Sequence, residues 1–268
     1  MRAMLFARRC GKEILRDPLS YLFSLGLPVA LLVVMYLVFY EPQAAFWFSL
    51  DMLTPGITVF SYAFTMLFMT LLVSKDRTGA FLTRLRTSPM TTVDFVLGYT
   101  LPGLGLGLGQ AVLCGLTGVI LGLCAGTPLN VGRLALSILC QVPIIVMYVG
   151  LGILFGTLFS DKAAPGATSV LISVGGFLSG AWMPVEQFSI TAKGFYAVCR
   201  ALPFYPAVAS SRLALGLRED TVAALRFLGF TRPAGELWYG LALCAAYGLA
   251  AFLAAVLVFR ARLQSDRT

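Results

Sequence analysis

The side chains that ordinarily carry chemistry are scarce in this chain. It contains no histidine, which removes Ser–His–Asp catalysis, imidazole metal sites and most proton shuttles. Its six cysteines, Cys10, Cys114, Cys124, Cys140, Cys199 and Cys244, form no C-x-x-C pair, and four of them (Cys114, Cys124, Cys140 and Cys244) lie inside apolar runs. They read as small core residues, not as a disulfide framework or a metal site. A Walker A phosphate loop requires G-x-x-x-x-G-K-[ST]. The one Gly-Lys pair, Gly11-Lys12, is followed by Glu13, so the chain does not bind ATP in that way. A proton- or sodium-driven carrier needs an ionisable group near the bilayer midplane. Asp51 and Asp94 fall at the ends of apolar runs and Glu41 between two of them, while the longer polar side chains at depth, Gln110 and Gln141, do not titrate. This argues against an ion-coupled carrier and an ion channel, and no TVGYG-like filter is present. No close pair of buried carboxylates is available for metal-assisted phosphoryl chemistry either.

The elements that must position these few polar groups are apolar runs. Of 268 residues, 59% are hydrophobic and 12% charged, and mean hydropathy is +0.87. A soluble sphere of this size cannot hide so much apolar surface, and disorder is excluded for the same reason. An all-α integral membrane protein is expected. About 20 apolar residues cross the hydrocarbon as a helix, and six such runs stand at 22–40, 52–74, 95–125, 133–159, 163–184 and 237–259. None contains Asp, Glu or Lys, and the one Arg, Arg133, is at the edge of the fourth. The third is long and holds Pro102, which predicts a kink or an interfacial extension. The expected division is an amphipathic helix within 1–21, a six-span domain over 22–259 and a tail at 260–268.

Six spans put both termini on one side, and basic residues choose the cytoplasmic one. Arg2, Arg8, Arg9, Lys12 and Arg16 precede the first run, Lys75, Arg77, Arg84 and Arg86 follow the second, Lys162 joins the fourth to the fifth, and Arg260, Arg262 and Arg267 are in the tail. The opposite short loops carry only Arg133. The net charge of +8 is accordingly read as topology and headgroup attraction, not nucleic-acid binding. Trp47, Trp182 and Trp238 fall at expected outer boundaries, like an aromatic belt. The long 185–236 segment carries Arg200, Arg212, Pro203 and Pro206 inside its apolar part. These predict short helices lying on or dipping into the outer leaflet between the fifth and sixth spans, not a seventh span.

Two cytoplasmic segments are amphipathic. Over 2–16, a helical period puts Met4, Ala7, Cys10, Gly11, Ile14 and Leu15 on one arc and Arg2, Arg9, Lys12, Glu13 and Arg16 on the other, with Leu5 and Phe6 as misfits. Such a helix is expected in the headgroup plane; an ordinary basic flank is the plainer alternative. Over 75–90, Phe81, Leu82 and Leu85 share one helical face flanked by Arg84 and Arg86, and Thr87-Ser88-Pro89 stops it. A short exposed helix of this kind suits docking into a partner's groove; a solvated loop that only sets topology is the plainer reading. The four Gly-x-x-x-Gly spacings, at 105/109, 118/122, 152/156 and 176/180, read as helix packing within one subunit.

Lys75-Asp76-Arg77 … Leu82 … Leu85 … Thr87-Ser88-Pro89-Met90 resembles the loop [KR]-[DE]-R-x-x-G-T-L-x-x-L-x-x-[ST]-P-[LM] of ABC-2 type exporter membrane subunits, the family of daunorubicin-type drug permeases and polysaccharide or teichoic acid exporters. Thr78-Gly79 departs from that pattern. Phe177-Leu-Ser-Gly-Ala-Trp-Met-Pro-Val-Glu186 is similar to the family's F-L-S-G-x-x-x-P-x-E, without the proline that often follows. Leu202-Pro-Phe-Tyr-Pro206 and Lys12-Glu13 … Leu15-Arg-Asp-Pro18 … Leu27-Pro28 match two further family patterns in order. The resemblance implies a non-catalytic bacterial inner-membrane subunit with both termini cytoplasmic. It would pair with a second copy or a paralogue and rest on two copies of a separate ABC ATPase. No cofactor would bind this chain, ATP and Mg being held by the partner. The cargo would be hydrophobic or amphiphilic, drug-like or lipid-linked, and membrane lipid but no nucleic acid would be a partner. By the same resemblance, 2–16 is the interfacial helix, with Arg9, Lys12, Glu13 and Arg16. Residues 77–88 are the coupling helix, with Arg77, Phe81, Leu82, Arg84, Leu85 and Arg86 at the ATPase interface. Trp182, Pro184, Glu186 and Pro203 belong to the outer gate region. The competing reading is a membrane-embedded enzyme or scaffold that works without a nucleotide-binding partner.

Overall fold

The computed structural model describes residues 2–18, 22–39, 48–78, 91–182, 185–217, 222 and 235–265. Among them all regular structure is helical. Helix α1 is Arg2–Arg16; a π-helical turn, Leu22–Gly26, leads into α2, Leu27–Val38; α3 is Leu50–Thr78 and α4 Thr92–Cys124. Then come α5, Val131–Cys140, and α6, Val142–Leu158, followed by α7, Ala164–Ser179. A 3₁₀ turn at Val185–Gln187 precedes α8, Phe188–Thr191, α9, Lys193–Ala201, and α10, Phe204–Leu215, and α11, Glu236–Ser265, closes the order.

Four of these segments are long and apolar enough to cross a membrane: Leu50–Arg77, Thr92–Cys124, Val131–Leu158 and Glu236–Ala261. Leu22–Val38 and Ala164–Ser179 are apolar but shorter, reaching about 25 Å each at 1.5 Å per residue, less than the hydrocarbon thickness. The third expected span runs as one helix through Pro102. The fourth is divided at Gln141, just before Pro143.

Helix α3 is the axle of the bundle. It packs against α2, α4, α6, α7 and α10, and its apolar window is 78% buried, against 22% for α11. That burial explains its composition. Thr58, Ser61, Thr65, Thr70 and Ser74 are all buried along it, and four of these hydroxyls donate to carbonyls one turn back on their own helix, which makes their burial tolerable. Thr65 donates to Gln110 Oε1, whose amide donates to Ser24 O in the π turn and to Ser61 O. Tyr62 donates to Gln141 Oε1, the Gln141 amide to Ser137 Oγ, and Ser137 to Ser211 O. Two polar chains rooted on α3 thus stitch it, one to the π turn and α4, the other to the α5–α6 break and α10. Gly152 and Gly156 let α6 approach the α3 backbone: a Cβ there would stand 2.6 Å from Met66 O and 2.7 Å from Thr70 O. Around Gly105 and Gly109 there is open space instead.

Two expectations change. The inward face of α1 is formed by Phe6, Ala7, Cys10 and Ile14, while Met4 and Leu15 are each 66% exposed. Phe6, a misfit to the expected arc, is its centre, because α1 lays this face on α4 rather than in lipid. The 195–217 segment also divides: α9 is largely exposed, but α10 is buried along nearly its whole length among α3, α5, α7 and α11. Its charge, Arg212, is not at a surface at all, being 2% exposed.

Candidate coupling site

The C-terminal end of α3 is where α1, α4 and α6 converge. Asp76, 4% exposed, accepts two hydrogen bonds from the Arg9 guanidinium, Nη1 to Oδ2 at 2.8 Å and Nη2 to Oδ1 at 2.9 Å. It also accepts one from Tyr99 Oη at 2.8 Å. A bidentate guanidinium–carboxylate pair fixes both distance and plane, so one residue holds α1 and α4 to α3. Arg9 also pairs with Glu13 at 2.9 Å, and Lys75 Nζ lies 3.9 Å from Glu13. Burial by itself lowers the Arg9 pKa, but the hydrogen bond and charge of Asp76, with Glu13, outweigh it and raise the pKa above its usual value. Burial, with the Asp76 charge beside it, pushes the Cys10 thiol up to about 12.

The next residue reaches in another direction. Arg77 Nη1 donates to Thr157 O and Nη2 to Phe159 O, so a cation closes the carbonyl end of α6, where the helix dipole favours positive charge. Ser74 adds a hydrogen bond to Asp161 at 3.2 Å. Apolar packing reinforces the α1–α4 seam: the Phe6 ring meets Tyr99 at 4.9 Å and Phe95 at 5.4 Å, both edge-on. Gly98 makes this close approach achievable, since a Cβ there would lie 2.4 Å from the Phe6 ring. On the far side of the loop, Thr91 and Asp94 form a reciprocal capping box that starts α4.

The expected coupling residues Phe81, Leu82, Arg84, Leu85 and Arg86 lie outside the described residues. Arg77 is engaged as the cap of α6. Of the interfacial set, Arg9 and Glu13 join the Asp76 cluster, while Lys12 and Arg16 are exposed. The sequence reading matched Asp76 to a motif without assigning it a role, and it passed over Tyr99. The available signal was a carboxylate between two cations at the end of an apolar run, with an arginine on a neighbouring amphipathic helix.

The outer set is only partly assembled. Trp182 packs edge-on to Phe60 at 4.4 Å. Pro184 lies outside the described residues, and Pro203 precedes α10. Glu186 is buried 3.8 Å from Arg212 Nη1. Arg212, expected from the sequence to mark a surface helix rather than a site, donates to Met52 O and to Gly180 O and Ala181 O at the carbonyl end of α7.

A bundle of apolar helices, four of them long enough to cross a membrane, with an amphipathic helix packed across one end, has the architecture of a multi-pass membrane protein. The family model for the ABC-2 type transporter matches residues 2–215, and the chain belongs to that family. It is therefore a transporter permease subunit of a family that generally works with an ABC ATPase. No curated protein matches it significantly.

Proposed function

We propose that this chain is the membrane-spanning subunit of an ATP-driven exporter in a bacterial inner membrane, with six crossings and both termini cytoplasmic. Two such subunits, identical or paralogous, enclose the pathway and rest on two copies of a separate ATPase. The cargo is hydrophobic or amphiphilic, drug-like or lipid-linked, in keeping with apolar runs whose one charge, Arg133, stands at the edge of the fourth. The ATPase engages residues 77–88, and ATP-driven closure of the partner shifts the helices between two packed arrangements.

The observation that carries this reading is the Asp76–Arg77 pair. Where the chain leaves α3 for residues 79–90, those two side chains bind α1, α4 and α6 simultaneously. A displacement applied to that loop acts on four helices at once. Replacing Phe81 and Leu85 by Asp is expected to abolish copurification of the ATPase and cargo-stimulated ATP hydrolysis. Normal copurification and stimulation in that variant would overturn the assignment of 77–88.

A further inference from the structure

The face of α1 turned away from α4 is not uniformly polar. Arg8, Lys12 and Arg16, spaced four residues apart, are exposed beside exposed Met4, Leu5 and Leu15. An open groove of about 560 Å³ runs along this face, lined by Leu5, Arg8, Arg9, Lys12, Glu13 and Arg16. At the C-terminal end of α1 a second cavity, about 370 Å³, turns down the side of α3. Glu13, Arg16, Asp17 and Lys75 line it together with Phe68, Leu71 and Leu72 of α3. Those three side chains lie three to seven residues membrane-ward of Lys75, about 5–10 Å deeper along the helix.

We propose that this cavity is a binding site for an anionic glycerophospholipid of the adjoining leaflet. Arg16 and Lys75 hold the phosphate, Arg8 and Lys12 extend the positive field along α1, and an acyl chain lies on Phe68, Leu71 and Leu72. Arg9 is neutralised by Asp76, which leaves four cations against Glu13 and Asp17. That excess favours an anionic headgroup over a zwitterionic one. The depth of the apolar wall decides between a lipid and a protein occupant. A water-soluble partner can cover the α1 groove, but it cannot follow α3 below the headgroups. The cations are held beside the membrane because α1 passes within a few residues into the first apolar helix. The proposal rests on membrane embedding and is independent of the ATPase assignment.

The test uses the full-length permease with its ATPase in mixed-lipid nanodiscs. Spin-labelled phosphatidylglycerol competes there against spin-labelled phosphatidylcholine. The wild type is expected to select phosphatidylglycerol. The Arg16→Gln/Lys75→Gln variant should lose about 30-fold in that selectivity, and Arg16→Lys/Lys75→Arg should retain it. Leu71→Trp, which fills the cavity at its apolar wall, should weaken both lipids. Unchanged selectivity in the Gln variant overturns the proposal. So does displacement of the lipid by millimolar glycerol phosphate, which would make free phosphate the ligand. Loss of ATPase copurification by the Gln variant with lipid selectivity intact would assign the basic face to the ATPase instead.

Discussion

At the scale of single residues, Asp76 is the most connected side chain at the C-terminal end of α3. Asp76→Asn keeps the shape but removes the charge that the Arg9 fork was built around. It is expected to cost about 2 kcal/mol, read as a lowered Tm, while ATPase copurification persists and cargo-stimulated hydrolysis falls. A variant that copurifies and is stimulated normally would show that the cluster only holds the fold together. Cys10 offers a reporter for the same seam. It is fully buried and stays protonated until about pH 12, and the thiolate is the reactive form. With the other five cysteines replaced by alanine, maleimide labelling should be negligible at pH 8. It should become rapid when Gly98→Leu drives the Phe6 ring out of its seat. Labelling of the parent at pH 8 would mean that α1 does not rest on α4 as described. Asp76 itself was visible in the sequence, but its burial was not, because a charge at the end of a span is ordinarily solvated. Its partners stand 67 and 23 positions away, beyond what any local pattern records.

At the scale of helices, the long apolar runs were legible because hydropathy alone identifies them, and α3, α4 and α11 follow closely. The orientation of α1 was less so: periodicity defines an arc, but which arc is inward depends on what lies opposite, here Gly98 and the Phe95–Tyr99 edge of α4. The burial of α10 was hidden for a different reason. Arginine and two prolines argue for a surface, yet the guanidinium donates to three backbone carbonyls and is ion-paired with Glu186 at 3.8 Å, and charge so paired is compatible with the interior. Arg212→Leu strips those acceptors and leaves Glu186 in an apolar setting. It is expected to destabilise by about 3–5 kcal/mol, seen as a large drop in Tm or loss of folded protein, and Arg212→Lys should recover only part. Glycines separate by neighbour rather than by motif. Gly152→Val and Gly156→Val drive side chains into α3 backbone and should each cost about 1–3 kcal/mol. Gly105→Ala and Gly109→Ala meet nothing and should leave Tm unchanged or raise it, since alanine favours a helix by about 0.5–1 kcal/mol. Equal effects from the two pairs would contradict the α3–α6 seam.

At the scale of the whole molecule, composition was enough to establish a membrane bundle, and four motifs in order were enough to point to the family. The number of crossings was less accessible, since two of the apolar helices are shorter than a bilayer and hydropathy does not report where a helix stops. The buried acids and arginines among the described residues are Asp76 at one end of α3, Asp51, Arg212 and Glu186 around the other, and Glu236 at the start of α11. Glutamine, serine, threonine and tyrosine occupy the stretch between. Arg77 and Arg212 make the same kind of contact at those two ends. One ties the C-terminal tip of α3 to the tail of α6, the other ties its N-terminal tip, through Met52, to the tail of α7. An axle bolted at both hubs does not need a relay of side chains along its length. If α3 moves as a rigid rod, tilting one hub swings the other, about 40 Å away, and the two ends of this protein are then set together.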